Sequence, residues 1–96
     1  TALVTPNEAG LPGMYQAVQD AGKTIAKDFS IVSLASQQRA ERLFPTLTSM
    51  DFPTAQMGKL AVEILVKTLN GKTKKPIQKM LKSGLIVRQS TGPLPL

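Results

Sequence analysis

Side chains that could bind a small molecule stand at the ends of two β-prone runs. Asn7 and Glu8 directly follow the first run, and Leu34 and Ser36 stand at the end of the second. An amide, a carboxylate and a hydroxyl can all exchange hydrogen bonds with a polar ligand. In open parallel sheets, ligands bind in the loops beyond the carboxyl ends of the strands. We therefore expect these four side chains to contact a small-molecule ligand.

The composition excludes several kinds of reactive site. Cysteine and histidine are both absent, which removes disulfides, thiolate nucleophiles, histidine-based triads and nearly all zinc chemistry. The six carboxylates are scattered, and no two stand at a spacing that local structure would bring together for acid-base catalysis. The glycine fingerprint of a dinucleotide-binding loop is also missing. We therefore expect no enzymatic activity, no metal ion and no cofactor.

The polar candidates also have simpler structural roles. Asn7 and Glu8 are short or charged residues that suit the entrance of a helix. Ser36 suits an ordinary loop. Arg39 and Arg42 could face a phosphorylated or acidic ligand, or could lie on a solvated helix face. The residue types alone leave these alternatives open.

The net charge of +6 raises the question of nucleic-acid binding. The basic residues crowd the C-terminal third of the chain: Lys72, Lys74, Lys75, Lys79 and Lys82. No aromatic residue stands among them to stack on bases. This pattern favours a solvated basic loop over a face that reads DNA. A basic nucleic-acid-binding module remains an alternative, and it would bind DNA with a strong dependence on salt.

The elements that position the candidate residues follow a strand, helix, strand pattern. Residues 1–5 and 29–34 predict strands, and a helix is expected to begin near Gly10 to Pro12 and to stop at Gly22. The inward positions of that helix would be Leu11, Met14, Tyr15 and Val18. A βαβ unit of this length implies parallel strands joined by a right-handed crossover. The two strand ends should therefore lie at the same edge of one sheet.

The longest helix is predicted from Pro53 to about Asn70. Its apolar residues recur at helical spacing, and Asn70 and Gly71 suit its C-terminal cap. A short β-prone run precedes it at residues 47–50. Two further extended runs, at residues 77–81 and 85–89, close the chain. The second half of the chain therefore adds strands on both sides of one long helix.

Four sequence blocks, in this order, resemble the C-terminal part of the effector-binding region of lactose-repressor-like (LacI/GalR) transcriptional regulators. They are ALVTPN at residues 2–7, KDFSIVS at 27–33, PTLTS at 45–49 with MG at 57–58, and LIVRQST at 85–91. The resemblance implies an α/β fold with a mostly parallel sheet flanked by helices. It also implies that this sheet is part of a two-lobed, periplasmic-binding-protein-like (type I) fold.

The same resemblance implies a function and partners. Such a protein would be a cytoplasmic, sugar-responsive transcriptional repressor that closes around a sugar or sugar derivative and pairs with a second copy. It would bind DNA only through an N-terminal head that this chain lacks, and it would not contact a membrane. In the family, the helix that corresponds to the one predicted between Gly10 and Gly22 contributes to the dimer interface. The interface candidates are therefore Leu11, Met14, Tyr15 and Val18.

The resemblance also divides the chain between two lobes. Residues 1–50 and 77–91 would belong to the C-terminal lobe, and the helix at 53–70 would belong to the other lobe. Because the chain opens at Thr1 without an initiating methionine, we expect residues 1–96 to be a piece of a longer protein. The runner-up interpretation is one lobe of an extracytoplasmic sugar-binding protein that feeds a transporter.

The chain departs from the family pattern at the expected site. Asn7 stands where the family often has an aspartate, and an amide is a weaker acceptor than a carboxylate. After the second strand, residues 33–36 read SLAS, without the family's aromatic ring and carboxylates. The identity of the effector is therefore not given by the resemblance.

Overall fold

A four-stranded sheet with strand order β1-β2-β3-β4 organises the computed structural model, which describes residues 1–95. The elements in chain order are β1 (Ala2–Thr5), α1 (Leu11–Asp20), β2 (Ser30–Leu34), α2 (Gln37–Arg42), β3 (Thr48–Met50), α3 (Thr54–Leu69) and β4 (Leu85–Ile86). Leu96, the last residue of the expected piece, lies outside the described residues. Within residues 1–95, no helix has both the length and the apolar character required to cross a lipid bilayer.

The first three strands are parallel, and the sequence predicts this direction for the first two. β1 pairs with β2 from Ala2 opposite Ser30 to Thr5 opposite Ser33. β2 pairs with β3 up to Leu34 opposite Met50, and β4 joins β3 in the antiparallel sense. The predicted α/β fold with a mostly parallel sheet is confirmed. Because β1, β2 and β3 run in the same direction, their carboxyl ends share one edge of the sheet.

Helix α1 packs its apolar stripe against the sheet. Its predicted stop is confirmed, since Gly22 has a φ of +70° and the amide of Lys23 donates to the carbonyl oxygen of Val18, 3.0 Å away. The buried core consists of Leu11, Ile31, Ala35, Ala40 and Leu47. The remaining stripe residues of α1 are half-buried against that core: Met14, Tyr15 and Val18. The stripe is therefore a core face.

Two elements differ from the sequence-based expectation. Residues 37–42, for which no element is predicted although a helix face is one alternative for Arg39 and Arg42, form α2, with Ser36 at its N-cap accepting from the amide of Arg39 at 3.3 Å. Residues 77–81 were expected to be extended and strand-like, but they form no strand in the structure. Met80 in that run is 99% exposed, so the run does not present an alternating buried face.

The described residues form two compact units. One unit comprises residues 1–52 and 84–95, and the other comprises residues 53–83. Residues 77–83 therefore group with α3, whereas the family resemblance implies that residues from 77 onward belong to the lobe that contains the sheet. No residue of α3 is buried, and Leu65 and Leu69 on its apolar stripe are exposed. The stripe predicted for α3 thus remains uncovered in this chain.

The closing segment joins β2 to β3 where the two strands enter the sheet. Ser90 is fully buried, and its hydroxyl donates to the carbonyl oxygen of Ile31 at 2.6 Å and accepts from the amide of Thr48 at 2.8 Å. The guanidinium of Arg88 donates to the carbonyl oxygen of Leu47 and to the hydroxyl of Ser49, both at 2.8 Å. The amino-terminal ends of β2 and β3 are therefore joined through the side chain of Ser90, and Arg88 fixes the closing segment to β3.

Ala26 adopts a backbone conformation that favours glycine. Its φ is +77°, in the left-handed region where a Cβ atom is crowded. We expect Ala26→Gly to raise the free energy of unfolding by about 0.5 to 1 kcal/mol, after subtraction of the entropy that glycine adds to the unfolded chain. Urea unfolding monitored by circular dichroism would measure this. The control Ala21→Gly, at an ordinary φ of −77°, should lower stability, and a gain there would contradict the explanation.

Candidate functional site

The loops after β1 and β2 are bonded to each other at the carboxyl edge of the sheet. The hydroxyl of Ser33 donates to the carbonyl oxygen of Asn7 at 3.1 Å, and the hydroxyl of Thr5 donates to the same oxygen at 3.0 Å. The carboxylate of Glu8 accepts from the amide of Ser36 at 2.9 Å and from its hydroxyl at 3.4 Å. The structure thus brings two of the predicted site residues, Glu8 and Ser36, into contact.

Asn7 lies at the same edge with an exposed side chain. Its carboxamide oxygen accepts from the amide of Ala9 at 3.1 Å, which closes a local turn ahead of α1. Its carboxamide nitrogen makes no hydrogen bond to any part of the described chain. The side chain therefore has a turn-forming role and also a donor that is available to a ligand.

A polar groove of about 520 Å³ opens beside Glu8 and Ser36, and its other walls are Gln38, Arg39, Arg42 and Leu43. The guanidinium Nε of Arg39 lies 3.8 Å from a carboxylate oxygen of Glu8. These side chains are 51% and 35% exposed, so solvent screens the pair and its contribution to stability is small. Arg42 is exposed. Both arginines thus lie on a solvated face of α2, with Arg39 oriented toward Glu8.

Leu34 lies in a different groove from Glu8 and Ser36. Side chains alternate between the two faces of a strand, so Leu34 and Val32 point away from buried Ile31 and Ser33. Leu34 lines an apolar groove of about 360 Å³ with Val4, Thr5, Pro6, Val32, Ser33 and Met50. Of the four candidate residues, Glu8 and Ser36 therefore line one groove, Leu34 lines another, and Asn7 lines neither of the two.

Phe52 is a candidate site residue that sequence reasoning missed. It follows the end of β3 by two residues, and the amide of Ala35 donates to the carbonyl oxygen of Met50 at 3.3 Å at that end. Phe52 is 40% exposed. The rule that selected residues after β1 and β2 would also have selected it, because β3 is parallel to them.

The other aromatic side chains lie elsewhere in the unit: Tyr15, Phe29 and Phe44. Phe29 and Phe44 precede β2 and β3, so they belong to the opposite edge of the sheet. Tyr15 is on α1, where its hydroxyl donates to the carbonyl oxygen of Pro45 at 2.9 Å. Phe52 is thus the aromatic ring that the described residues place at the carboxyl edge.

The predicted dimer-interface residues differ in their accessibility. Leu11 exposes no surface in this arrangement of the chain, so its burial gives that interface prediction no support. Burial raises the pKa of Tyr15 above its usual value of 10.0. Tyr15 is therefore neutral and remains a hydrogen-bond donor at neutral pH. Met14, Tyr15 and Val18 stay as interface predictions.

Comparisons with known proteins match this geometry to one family. The family model described as a periplasmic binding protein-like domain matches residues 1–91. The lactose operon repressor of Rhizobium radiobacter is 37% identical over 71 residues, which cover 74% of this chain and 63% of that protein. The transcriptional repressor MelR of Bacillus subtilis is 39% identical over 80 residues, which cover 83% of this chain and 23% of that protein.

Solved structures give the same result. The transcription regulator CcpA of Lactococcus lactis superposes with a TM-score of 0.86 at 28% identity, over 95% of this chain and 34% of that one. A ribose-bound LacI family regulator from Enterococcus faecium superposes with a TM-score of 0.85 at 28% identity, over 98% of this chain and 35% of that one. The chain thus spans about a third of the length of these solved chains. It belongs to the periplasmic binding protein-like domain family, in the effector domain of lactose-repressor-type (LacI/GalR) transcriptional regulators.

Proposed function

We propose that the chain is the effector-sensing part of a sugar-responsive transcriptional repressor that acts in the cytoplasm. The observation that carries this proposal is the bonded carboxyl edge of the sheet, where Glu8 and Ser36 meet. Relatives bear the names lactose operon repressor and ribose operon repressor, and neighbouring structures are titled as complexes with ribose and cellobiose. These names belong to regulators, which favours this function over one lobe of a transporter's extracytoplasmic binding protein.

The chemistry at the edge suits a sugar. Asn7 offers an amide donor, Glu8 a charged acceptor and Ser36 a hydroxyl, and all three can bond sugar hydroxyl groups. Phe52 offers an apolar ring for the C–H face of a sugar ring. Neighbouring strands lie about 4.8 Å apart, so the edge from β1 to β3 is about 10 Å wide, which accommodates one or two sugar rings. Leu34 would contact a ligand only if that ligand reached the apolar groove.

The proposed mechanism is allosteric. The unit that contains the sheet would be the C-terminal lobe, and α3 would belong to the second lobe, most of which lies outside this chain. A sugar held at the carboxyl edge would bind one arrangement of the lobes more tightly than another. The difference between these affinities sets how strongly the sugar changes DNA binding by a head outside this chain.

The proposed homodimer uses the accessible part of the apolar stripe of α1 and the exposed ring of Phe44. Met14, Tyr15 and Val18 are half-buried, and a groove of about 500 Å³ runs beside Tyr15 to Phe44. Phe44 is 92% exposed, which is unusual for a large apolar ring on a monomer. A second copy packing there would bury it together with the accessible part of the stripe.

The test is a thermal-shift screen of the full-length protein against ribose, cellobiose, lactose and sugar phosphates. A sugar that binds only the folded protein raises its unfolding midpoint, by the equivalent of about 2.7 kcal/mol at a hundred times its Kd. The same sugar should change the affinity of the protein for its operator DNA. A protein that responds to none of these sugars contradicts the proposal, and a shift without any effect on DNA favours the transporter alternative.

Loss of the Phe52 ring should weaken binding of the sugar found in that screen. A ring contact contributes roughly 0.5–1.5 kcal/mol, so Phe52→Leu should lower affinity about 3- to 10-fold, while Phe52→Tyr retains most of it. Isothermal titration calorimetry would measure both variants. Phe29→Leu, at the opposite edge of the sheet, is the control and should bind like the wild type. Equal affinities for Phe52→Leu and the control would remove Phe52 from the site.

A further inference from the structure

The net charge of the chain is carried by one of its two units. Residues 53–83 hold seven lysines and one glutamate, which accounts for the whole formal charge of +6. The other unit holds five basic and five acidic side chains and is neutral overall. All seven lysines are exposed: Lys59, Lys67, Lys72, Lys74, Lys75, Lys79 and Lys82. The positive charge of the chain is thus concentrated on the surface of one unit.

Five of these lysines stand close together in the chain beyond the end of α3. Helix α3 has 16 residues and is about 24 Å long, and it ends where Gly71 takes a φ of +68°. Residues 72–83 then run without a helix or strand, with a lysine every one to four residues. A chain of this kind spans at most about 3.3–3.6 Å per residue, so the Cα atoms of successive lysines lie at most about 4 to 14 Å apart. Each strand of B-DNA carries one phosphate per about 3.4 Å of helix axis, so each of the five lysines can lie near a different phosphate.

We infer that residues 72–82 form a surface that binds the phosphate backbone of DNA without reading its sequence. The residue types support this ligand. Lysine acts as a point charge toward phosphate, whereas the planar arginines that pair with guanine edges are absent from residues 53–83. Aromatic residues for base stacking are absent there as well. The family resemblance implies DNA binding through the missing head alone, and this surface adds a second contact of a purely electrostatic kind.

The contact has a functional consequence that rests on the proposed repressor function. A sequence-independent cationic surface raises the rate at which a regulator reaches DNA and lets it slide along the duplex. It would not alter which operator is preferred, because phosphates carry no sequence information. An acidic protein partner would be attracted by the same charges. Measuring the affinity of lysine variants for DNA and for an acidic polypeptide distinguishes these two ligands.

The experiment compares two charge-matched double variants of the full-length protein. One is Lys74→Gln with Lys75→Gln, in the proposed surface, and the other is Lys23→Gln with Lys27→Gln, in the neutral unit. Affinity for a non-operator duplex is measured by fluorescence anisotropy between about 50 and about 200 mM salt. Removal of one lysine–phosphate interaction should reduce the slope of log K against log salt by about 0.9, so the slope should fall by up to about 2 in the first variant and stay unchanged in the second.

Additional readouts make the result decisive. Replacement of all five lysines of residues 72–82 by glutamine should reduce the slope by roughly 4, with the thermal midpoint and the sugar-induced shift unchanged. Equal salt slopes for the two double variants on DNA overturn the inference. The inference is also overturned if the Lys74→Gln, Lys75→Gln variant binds DNA with an unchanged slope and loses affinity only for polyglutamate, an acidic polypeptide. Because the sugar shift is read on the same samples, a failure of this surface is distinguishable from a failure of the sugar-sensing proposal.

Discussion

Ser90→Ala is expected to lower the free energy of unfolding by about 2–4 kcal/mol, because a buried group left without its hydrogen bond costs about 1–3 kcal/mol. The hydroxyl of Ser90 bonds to β2 and β3 at the same time, because it donates to the carbonyl oxygen of Ile31 and accepts from the amide of Thr48. Alanine removes both bonds and leaves a buried amide without an acceptor. The amide of Ile31 keeps its bond to the backbone oxygen of residue 90, so the closing segment should stay in place but weaken.

The measurement is chemical unfolding of the variant and the wild type under the same conditions. Gln89→Ala is the matched control, because Gln89 adjoins Ser90 and is exposed. Its side-chain oxygen accepts one hydrogen bond, of 3.4 Å, from the amide of Thr46. We expect the control to change stability by about 0.5 kcal/mol or less. A change of similar size in both variants would mean that Ser90 does not hold β2 and β3 together.

Glu8→Ala is expected to weaken sugar binding about 10- to 100-fold, since a hydrogen bond to a charged group contributes about 1.5–3 kcal/mol. The carboxylate has two roles in the proposed site. It holds the loop after β2 through the amide of Ser36, and it offers a charged acceptor to the ligand. Titration calorimetry with the sugar found in the thermal-shift screen measures the loss.

Glu8→Gln separates the two roles. Glutamine keeps a carbonyl oxygen that can accept from the amide of Ser36, but it loses the charge and the attraction to Arg39. If Glu8 contacts the sugar, the glutamine variant should lose most of the affinity that the alanine variant loses. If Glu8 only positions the loop, the glutamine variant should bind like the wild type. Glu41→Gln, on the exposed face of α2, is the control. Unchanged affinity in both Glu8 variants would place the sugar site elsewhere.

The sequence predicts the parallel strands well because their signals are local. Residues 29–34 are a β-rich run, and the chain between them and β1 has a helical stripe that ends at Gly22. These signals place the two strand ends together, and the contact between Glu8 and Ser36 follows from that placement. Phe52 escapes sequence reasoning because β3 is only three residues long and no local signal shows that it runs parallel to β1 and β2.

Other features depend on information that the sequence does not display locally. Helix α2 is six residues long and buries only Ala40, so it has too few apolar positions to show a helical period. Residues 77–81 look strand-like, but a strand also requires a neighbour to pair with. Leu34 is a different case, because strand alternation is a local signal and by itself places Leu34 on the face opposite to Ser33.

The interleaved chain order of the unit that contains the sheet affects its biosynthesis. Residues 1–52 carry β1 to β3, but Ser90 and β4 are made only after residues 53–83 have been translated. At about 5–20 residues per second, the interval between Phe52 and Ser90 lasts roughly 2 to 8 seconds. During that time the emerging polypeptide has an unpaired edge at β3, and the backbone amide of Thr48 lacks its hydrogen-bond acceptor. Chaperone dependence should therefore be greatest between the emergence of Phe52 and that of Ser90 from the ribosome, and a stall in that interval should promote aggregation more than a stall after Ser90 has emerged.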